Sequence, residues 1–258
     1  MALFESSNPT LTQKIFDKSL HQEASMQGVM SVRGTINKFG FLMLMVIAGA
    51  AFTWQQVYSG QPNTAYSYMI GGLIVGIVSA IAISFKPSWA AYLAPIYGIA
   101  EGLVLGALSA IINEAFQEKY PGIILQAVGL TLGVAIAMFL LYNFRIIKVT
   151  EKFKSIIISA TLGIFIFYML TWVLGMFHVE IPFMSLTNGG WLGIGISLFI
   201  VAIAALNLLL DFDRIEQGAA MGAPKFMEWY SAFGLLVTIV WLYLEILKLL
   251  MRFAGRRD

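Results

Sequence analysis

The sequence predicts an all-α integral membrane protein, a bundle of seven transmembrane helices. Two observations predict it. Of 258 residues, 59% are hydrophobic and only 12% are charged, where a soluble domain carries about 25% charged residues. Mean hydropathy is +0.81, so there is too little polar surface to cover a watery fold. The apolar residues also fall into seven runs, each near the ~20 residues that one helix needs to cross the hydrocarbon. None of these runs alternates as the strands of a lumen-lined barrel do, and helices satisfy their own backbone groups in lipid.

The runs are Phe39–Val57, Tyr66–Phe85, Trp89–Ile112, Ile123–Tyr142, Ser155–Met176, Gly189–Leu210 and Ala232–Met251. The first follows a polar tail, residues 1–34, in which Leu11–Ser19 has the pattern of a short surface helix. That tail lacks the charged start, short apolar run and small-residue cleavage site of a signal peptide. Residues 35–253 form the helical domain and 254–258 a short basic tail. The second run carries Gly72, Gly76 and Ala80, the third Gly98, Gly102 and Gly106, and the fourth Gly129 and Gly133. Small residues at this spacing let helix backbones approach closely in lipid. The plain reading is contact within the bundle; the alternative is a dimer interface.

Loop charges orient the chain. Lys14, Lys18, Arg33 and Lys38 precede the first run, and Arg145, Lys148, Lys152 and Lys154 separate the fourth from the fifth. The loops Tyr58–Ala65 and Phe177–Asn188 carry no Lys or Arg, and Asn113–Gly122 has only Lys119. The excess of basic residues places the N-terminus in the cytoplasm, together with Lys86, Arg214 and Lys225. Seven full spans then send Lys248, Arg252, Arg256 and Arg257 outside, against the trend. A re-entrant last segment would return them to the cytoplasmic side.

Several functions are excluded. With no cysteine there is no disulfide, thiolate metal site or cysteine nucleophile. A net charge of +2 is too small to attract nucleic acid. No H-E-x-x-H, G-x-S-x-G or phosphate-cradling Gly-Lys-Ser/Thr loop is present, so the sequence points to neither an enzyme nor a bound cofactor. His178, in an outer loop with Glu180, reads as an ordinary polar residue.

Ionisable residues inside spans are costly and therefore functional candidates. Glu101 lies in the middle of the third run, with no partner close in sequence; it is either a satisfied hydrogen bond within the bundle or a point on an ion path. Asp211 ends the sixth run, with Asp213 two residues on and Arg214 at i+3. Glu245 lies inside the seventh. Lys248, three residues further on, could pair with it on the same helical face or reach away to the interface, leaving Glu245 to face the bundle. Carboxyls on consecutive helices that face each other share a proton and titrate as a unit. Protonated, they hydrogen-bond and hold helices together; ionised, they repel and admit a cation. Hard oxygen ligands of this kind suit Ca²⁺.

The run Asn207-Leu-Leu-Leu-Asp211-Phe-Asp213-Arg-Ile215-Glu, followed by Leu242-Tyr-Leu-Glu245-Ile-Leu-Lys-Leu-Leu, resembles the last two helices of the Bax inhibitor-1 (transmembrane Bax-inhibitor-motif) family. Ala94-Pro95-Ile-Tyr97 leading to Ala100-Glu101-Gly102-Leu-Val-Leu-Gly106 is similar to that family's E-G-x-x-x-G stretch. Gly34-Thr35 with Lys38 looks like the bacterial version with a longer N-terminal tail. The resemblance covers roughly residues 30 to 253. It implies a seven-helix bundle with the last helix central, in a bacterial inner membrane, acting as a pH-sensitive Ca²⁺ leak. By motif position the gating acids are Asp211 and Glu245, with Glu245 where the family usually has Asp. Glu101, Asp213 and Asn207 are further polar candidates on the ion path, and Lys86 is the candidate counter-ion. The alternative it implies is an interaction protein, restraining a membrane protease or another membrane complex through the polar tail.

One difficulty is depth. On these boundaries Asp211 ends its helix while Glu245 lies some fourteen residues into the next, about 20 Å of rise at 1.5 Å per residue. For the acids to meet, the sixth helix must run deeper or the last segment must start later.

Overall fold

The computed structural model describes residues 28–178 and 190–256. The expected surface helix Leu11–Ser19, with Lys14 and Lys18, lies outside the described residues, as do Glu180 and Arg257. Seven long helices follow in order: α1 (Val32–Tyr58), α2 (Pro62–Phe85), α3 (Ala90–Phe116), α4 (Ile123–Asn143), α5 (Glu151–Met176), α6 (Trp191–Ala220) and α7 (Met227–Ala254). All seven are long and apolar enough to cross a membrane. Among the described residues there is no strand, only an isolated antiparallel bridge between Val29 and Pro224.

Most helices outrun their apolar runs, because hydropathy detects the hydrocarbon while the helix continues through the head-group layer on polar residues. α1 starts at Val32, seven residues before Phe39, because Ser31 caps it: its hydroxyl accepts from the Gly34 amide at 3.0 Å, satisfying one of the open N–H groups of the first turn. α5 starts at Glu151 under an equivalent cap, Thr150 accepting from Phe153 N at 3.2 Å. α6 continues to Ala220, well past Leu210. α7 runs unbroken for 28 residues, about 42 Å against ~30 Å of hydrocarbon. The last segment therefore does not turn back, and the re-entrant alternative is corrected to a full-length helix. It is also the most buried of the seven.

The chain divides into two compact units. One contains the described residues up to Ala115 together with Asp213–Val237; the other contains Phe116–Phe212 and the chain from Thr238 onward. In the first unit the glycine row of α3 is filled by α1. A Cβ on Gly98 would meet Met45 Cβ at 3.2 Å and Leu42 O at 3.3 Å, and Cβ atoms on Gly102 and Gly106 would press on the carbonyls of Val46 and Ala50. On α2, a Cβ at Gly72 would come within 2.6 Å of Ala100 O. These glycines serve backbone contact inside the unit. Gly129 and Gly133 of α4 differ: a Cβ there would meet nothing within 4 Å. In the second unit the core is aliphatic, with Ile157, Ile158 and Ile164 of α5 against Ile200, Ile203 and Leu210 of α6, and with Tyr168 and Trp241 packed alongside.

Candidate functional site

The acids singled out from the sequence lie in this aliphatic setting. Asp211 is 1% exposed and its Oδ2 accepts from Thr238 Oγ1 of α7 at 2.5 Å. The length of α6 sets the height of Asp211 but does not bring it to Glu245: Asp211 stands opposite Thr238, two turns of α7 before Glu245. Nine residues of α6 lie beyond Asp211, and eleven of α7 precede Thr238, so the two positions stand at about the same height on helices joined by a short turn. α7 begins earlier than Ala232, not later, and it is the sixth helix that runs deeper.

Glu245 is 2% exposed and fully engaged. Lys248 Nζ donates to Oε1 at 2.6 Å, Trp241 Nε1 donates to the same oxygen at 3.2 Å, and Tyr168 Oη of α5 lies 3.0 Å from both carboxylate oxygens. Lys248 also donates to Tyr168 Oη at 3.0 Å. Lysine, phenol and carboxylate thus close a triangle, with the phenol passing the lysine's hydrogen bond on to the acid. Of the two sequence readings of Glu245, the structure shows the local ion pair with Lys248, made on a buried carboxylate. Arg252, 3% exposed, adds a second cation whose charge acts on Glu245 and Tyr168.

Thr238 and Glu245 are seven residues apart, two turns on one face of α7 and about 10.5 Å along it. Asn207, one turn from Asp211 toward the Glu245 level, donates to Thr161 Oγ1 and to Ile203 O, both at 2.8 Å. Asp211 with Thr238, Asn207 with Thr161, and Glu245 with Tyr168 and Lys248 therefore form successive polar levels through an apolar unit.

The remaining candidates lie elsewhere. Asp213 belongs to the first unit and accepts from Gln217 at 2.6 Å. Glu101, also in the first unit, is hydrogen-bonded by Tyr97 one turn earlier, and Tyr97 in turn meets Phe233 edge-on with ring centroids 4.9 Å apart. Lys86 caps the end of α2 with its ammonium 4.6 Å from the Trp89 ring centroid; the cation bonded to Glu245 is Lys248. His178 ends its segment in the left-handed region at φ 59°. Among the described residues no three His, Asp or Glu side chains form a group that could hold a metal ion.

Sequence reasoning missed Tyr168, Thr238 and Glu228. The first two are ordinary polar positions in apolar runs, and nothing in their own helices marks them. Glu228 sits in the first turn of α7, is 0% exposed, and accepts from Ser31 N and Ser31 Oγ at 2.9 Å each, from Lys225 Nζ at 2.7 Å and from Lys38. Met30 N donates to Ala223 O at 2.7 Å beside it. A carboxyl at the start of a helix was its only sequence signal. Gly34 lies directly under this carboxylate, so an added Cβ would overlap it. Gly34→Ala is accordingly expected to lower stability by about 1–3 kcal/mol in a thermal melt; an unchanged melting temperature would mean that the carboxylate can step aside.

A profile of the family described as Bax inhibitor 1 like matches residues 8–255. The chain belongs to the Bax inhibitor 1 like family. No curated protein and no solved structure matches it. Membership accounts for the order of motifs across the seven spans and makes this an integral membrane protein of the Bax inhibitor 1 like type.

Proposed function

We propose that this Bax inhibitor 1 like protein is a pH-sensitive cation leak that passes Ca²⁺, with its N-terminus in the cytoplasm and Asp211 and Glu245 as the acids of the gate. The observation that carries the reading is the polar file in the second unit: Asp211–Thr238, Asn207–Thr161 and Glu245–Tyr168–Lys248 at successive heights on α5, α6 and α7. Buried polar groups are expensive in a membrane and are kept where something polar must pass or bind. Protonated, Asp211 and its threonine hold α6 to α7. Ionised, Asp211 offers a cation a first oxygen contact, and Glu245, released from Lys248, offers the next.

The test is Ca²⁺ entry into liposomes holding the purified chain, from pH 6 to pH 8. Flux should rise with pH, and Asp211→Asn or Glu245→Gln should flatten that dependence. An unchanged profile in both variants removes the gate from these acids. If flux does not exceed that of empty liposomes at any pH, the protein is instead a partner-binding module, and loss of a co-purifying membrane protein on deleting the tail would identify that role. The deletion should stop at residue 27, because Ser31 caps α1 and holds Glu228.

A further inference from the structure

Lys248 holds two partners at once, and only one of them is an acid. Its ammonium donates to Glu245 Oε1 at 2.6 Å and to Tyr168 Oη at 3.0 Å, and it lies 4.6 Å from the centroid of the Tyr168 ring. The phenol thus engages the ammonium through its oxygen and through its π face, whose quadrupole attracts a cation. Glu245 and Lys248 stand on α7, whereas Tyr168 comes from α5 and packs beside the aliphatic cluster of the second unit. Its position is set by that packing and not by the pair it bridges.

Two cations compete for the Glu245 carboxylate. The proposed leak needs its oxygens for the passing ion, and Lys248, tethered three residues away, occupies one of them. Lifting the ammonium off with no other partner would leave a charge beside aliphatic side chains, which is costly. Tyr168 removes that cost. Its contacts with Lys248 do not involve Glu245, so they persist when the 2.6 Å bond opens, and no helix has to move. The hydroxyl also keeps its own bond to the carboxylate, since it lies 3.0 Å from both oxygens and each oxygen carries two lone pairs.

We propose that Tyr168 is a positioning residue of the leak, the second station of the Lys248 ammonium, and that it frees Glu245 for the passing cation. This role rests on the cation-leak reading and sets how readily Glu245 takes its cargo.

The experiment is Ca²⁺ entry into liposomes holding the full chain, at pH 8 over a range of external Ca²⁺, in wild type, Tyr168→Phe, Lys248→Gln and the double variant. Phenylalanine keeps the ring and its packing and removes only the hydroxyl. Half-saturating Ca²⁺ should rise about tenfold in Tyr168→Phe, with a much smaller change in maximum flux, as for a competitor that binds more tightly. Lys248→Gln keeps an N–H donor but has no ammonium to move aside. Its half-saturation should fall below the wild-type value, and adding Tyr168→Phe should change it by less than about twofold. Wild-type flux with an unaltered half-saturation in Tyr168→Phe would overturn the station and mean that Lys248 reaches away to the interface instead. An equal shift in the Lys248→Gln background would overturn it too, because the hydroxyl would then act on Glu245 itself. A lower melting temperature and maximum flux with half-saturation unmoved would leave Tyr168 a structural role only. Absence of flux in the wild type would remove the leak reading and this role together.

Discussion

Lys248→Met is expected to be more damaging than removing Lys248 and Glu245 together. Glu245 is 2% exposed, while the lysine side chain keeps 28% of its surface accessible. Taking away the lysine strands a carboxylate among apolar side chains, with only the Tyr168 and Trp241 donors left on it. Breaking a buried pair from one side costs about 3–5 kcal/mol, whereas replacing both members by apolar or neutral groups is often close to neutral. Arg252 nearby offsets part of the stranded charge, which places the single change toward the lower end of that range. The double variant Glu245→Gln with Lys248→Met should recover most of the loss. Denaturant-dependent unfolding in mixed micelles, run as a double-mutant cycle, measures both values. If the single variant proves as stable as the double, the triangle of Lys248, Tyr168 and Glu245 is ornament and the acid lies in contact with water.

The same triangle marks where sequence reading stops. A spacing of three residues put Lys248 and Glu245 on one face of one helix, so their pairing was legible as one of two outcomes. Tyr168, 77 residues away in sequence from Glu245, was not, because helical periodicity reports which face a residue occupies and nothing about which helix covers that face. The seven spans were legible for the opposite reason: length and hydropathy alone decide whether a helix can cross. Their polar ends were not, and this hid the true height of Asp211. Hydropathy ended the sixth helix at Leu210, yet Arg214, Glu216 and Gln217 continue it to Ala220. Glu228 was hidden by the same limit, since its donors Ser31 and Lys38 come from the start of the chain and the pairing spans some two hundred residues.

Gly106→Val should be the most disruptive single change in the first unit, and Gly129→Val should be nearly silent. Both glycines belong to small-residue rows that look alike in the sequence. Against Gly106 lie Ala50 O, Ala50 Cα and Thr53 Oγ1 of α1, and against Gly129 nothing lies within 4 Å. A carbonyl held in a helix cannot rotate away as a side-chain tip can, so α1 and α3 must separate to admit the new carbons. Separation also stretches the bond from Thr53 Oγ1 to Leu103 O, 3.0 Å in the native packing, and loosens the neighbouring contacts at Gly98 and Gly102. Overpacking a tight site costs about 1–3 kcal/mol, and loss of the interhelical hydrogen bond adds about 0.6 kcal/mol. The matched valine variants should therefore differ by at least about 1 kcal/mol in thermal unfolding in one detergent, with Gly106→Val the lower. Equal stabilities would mean that α1 can move off α3 without cost, and the glycine row would then have to be explained by something outside the unit.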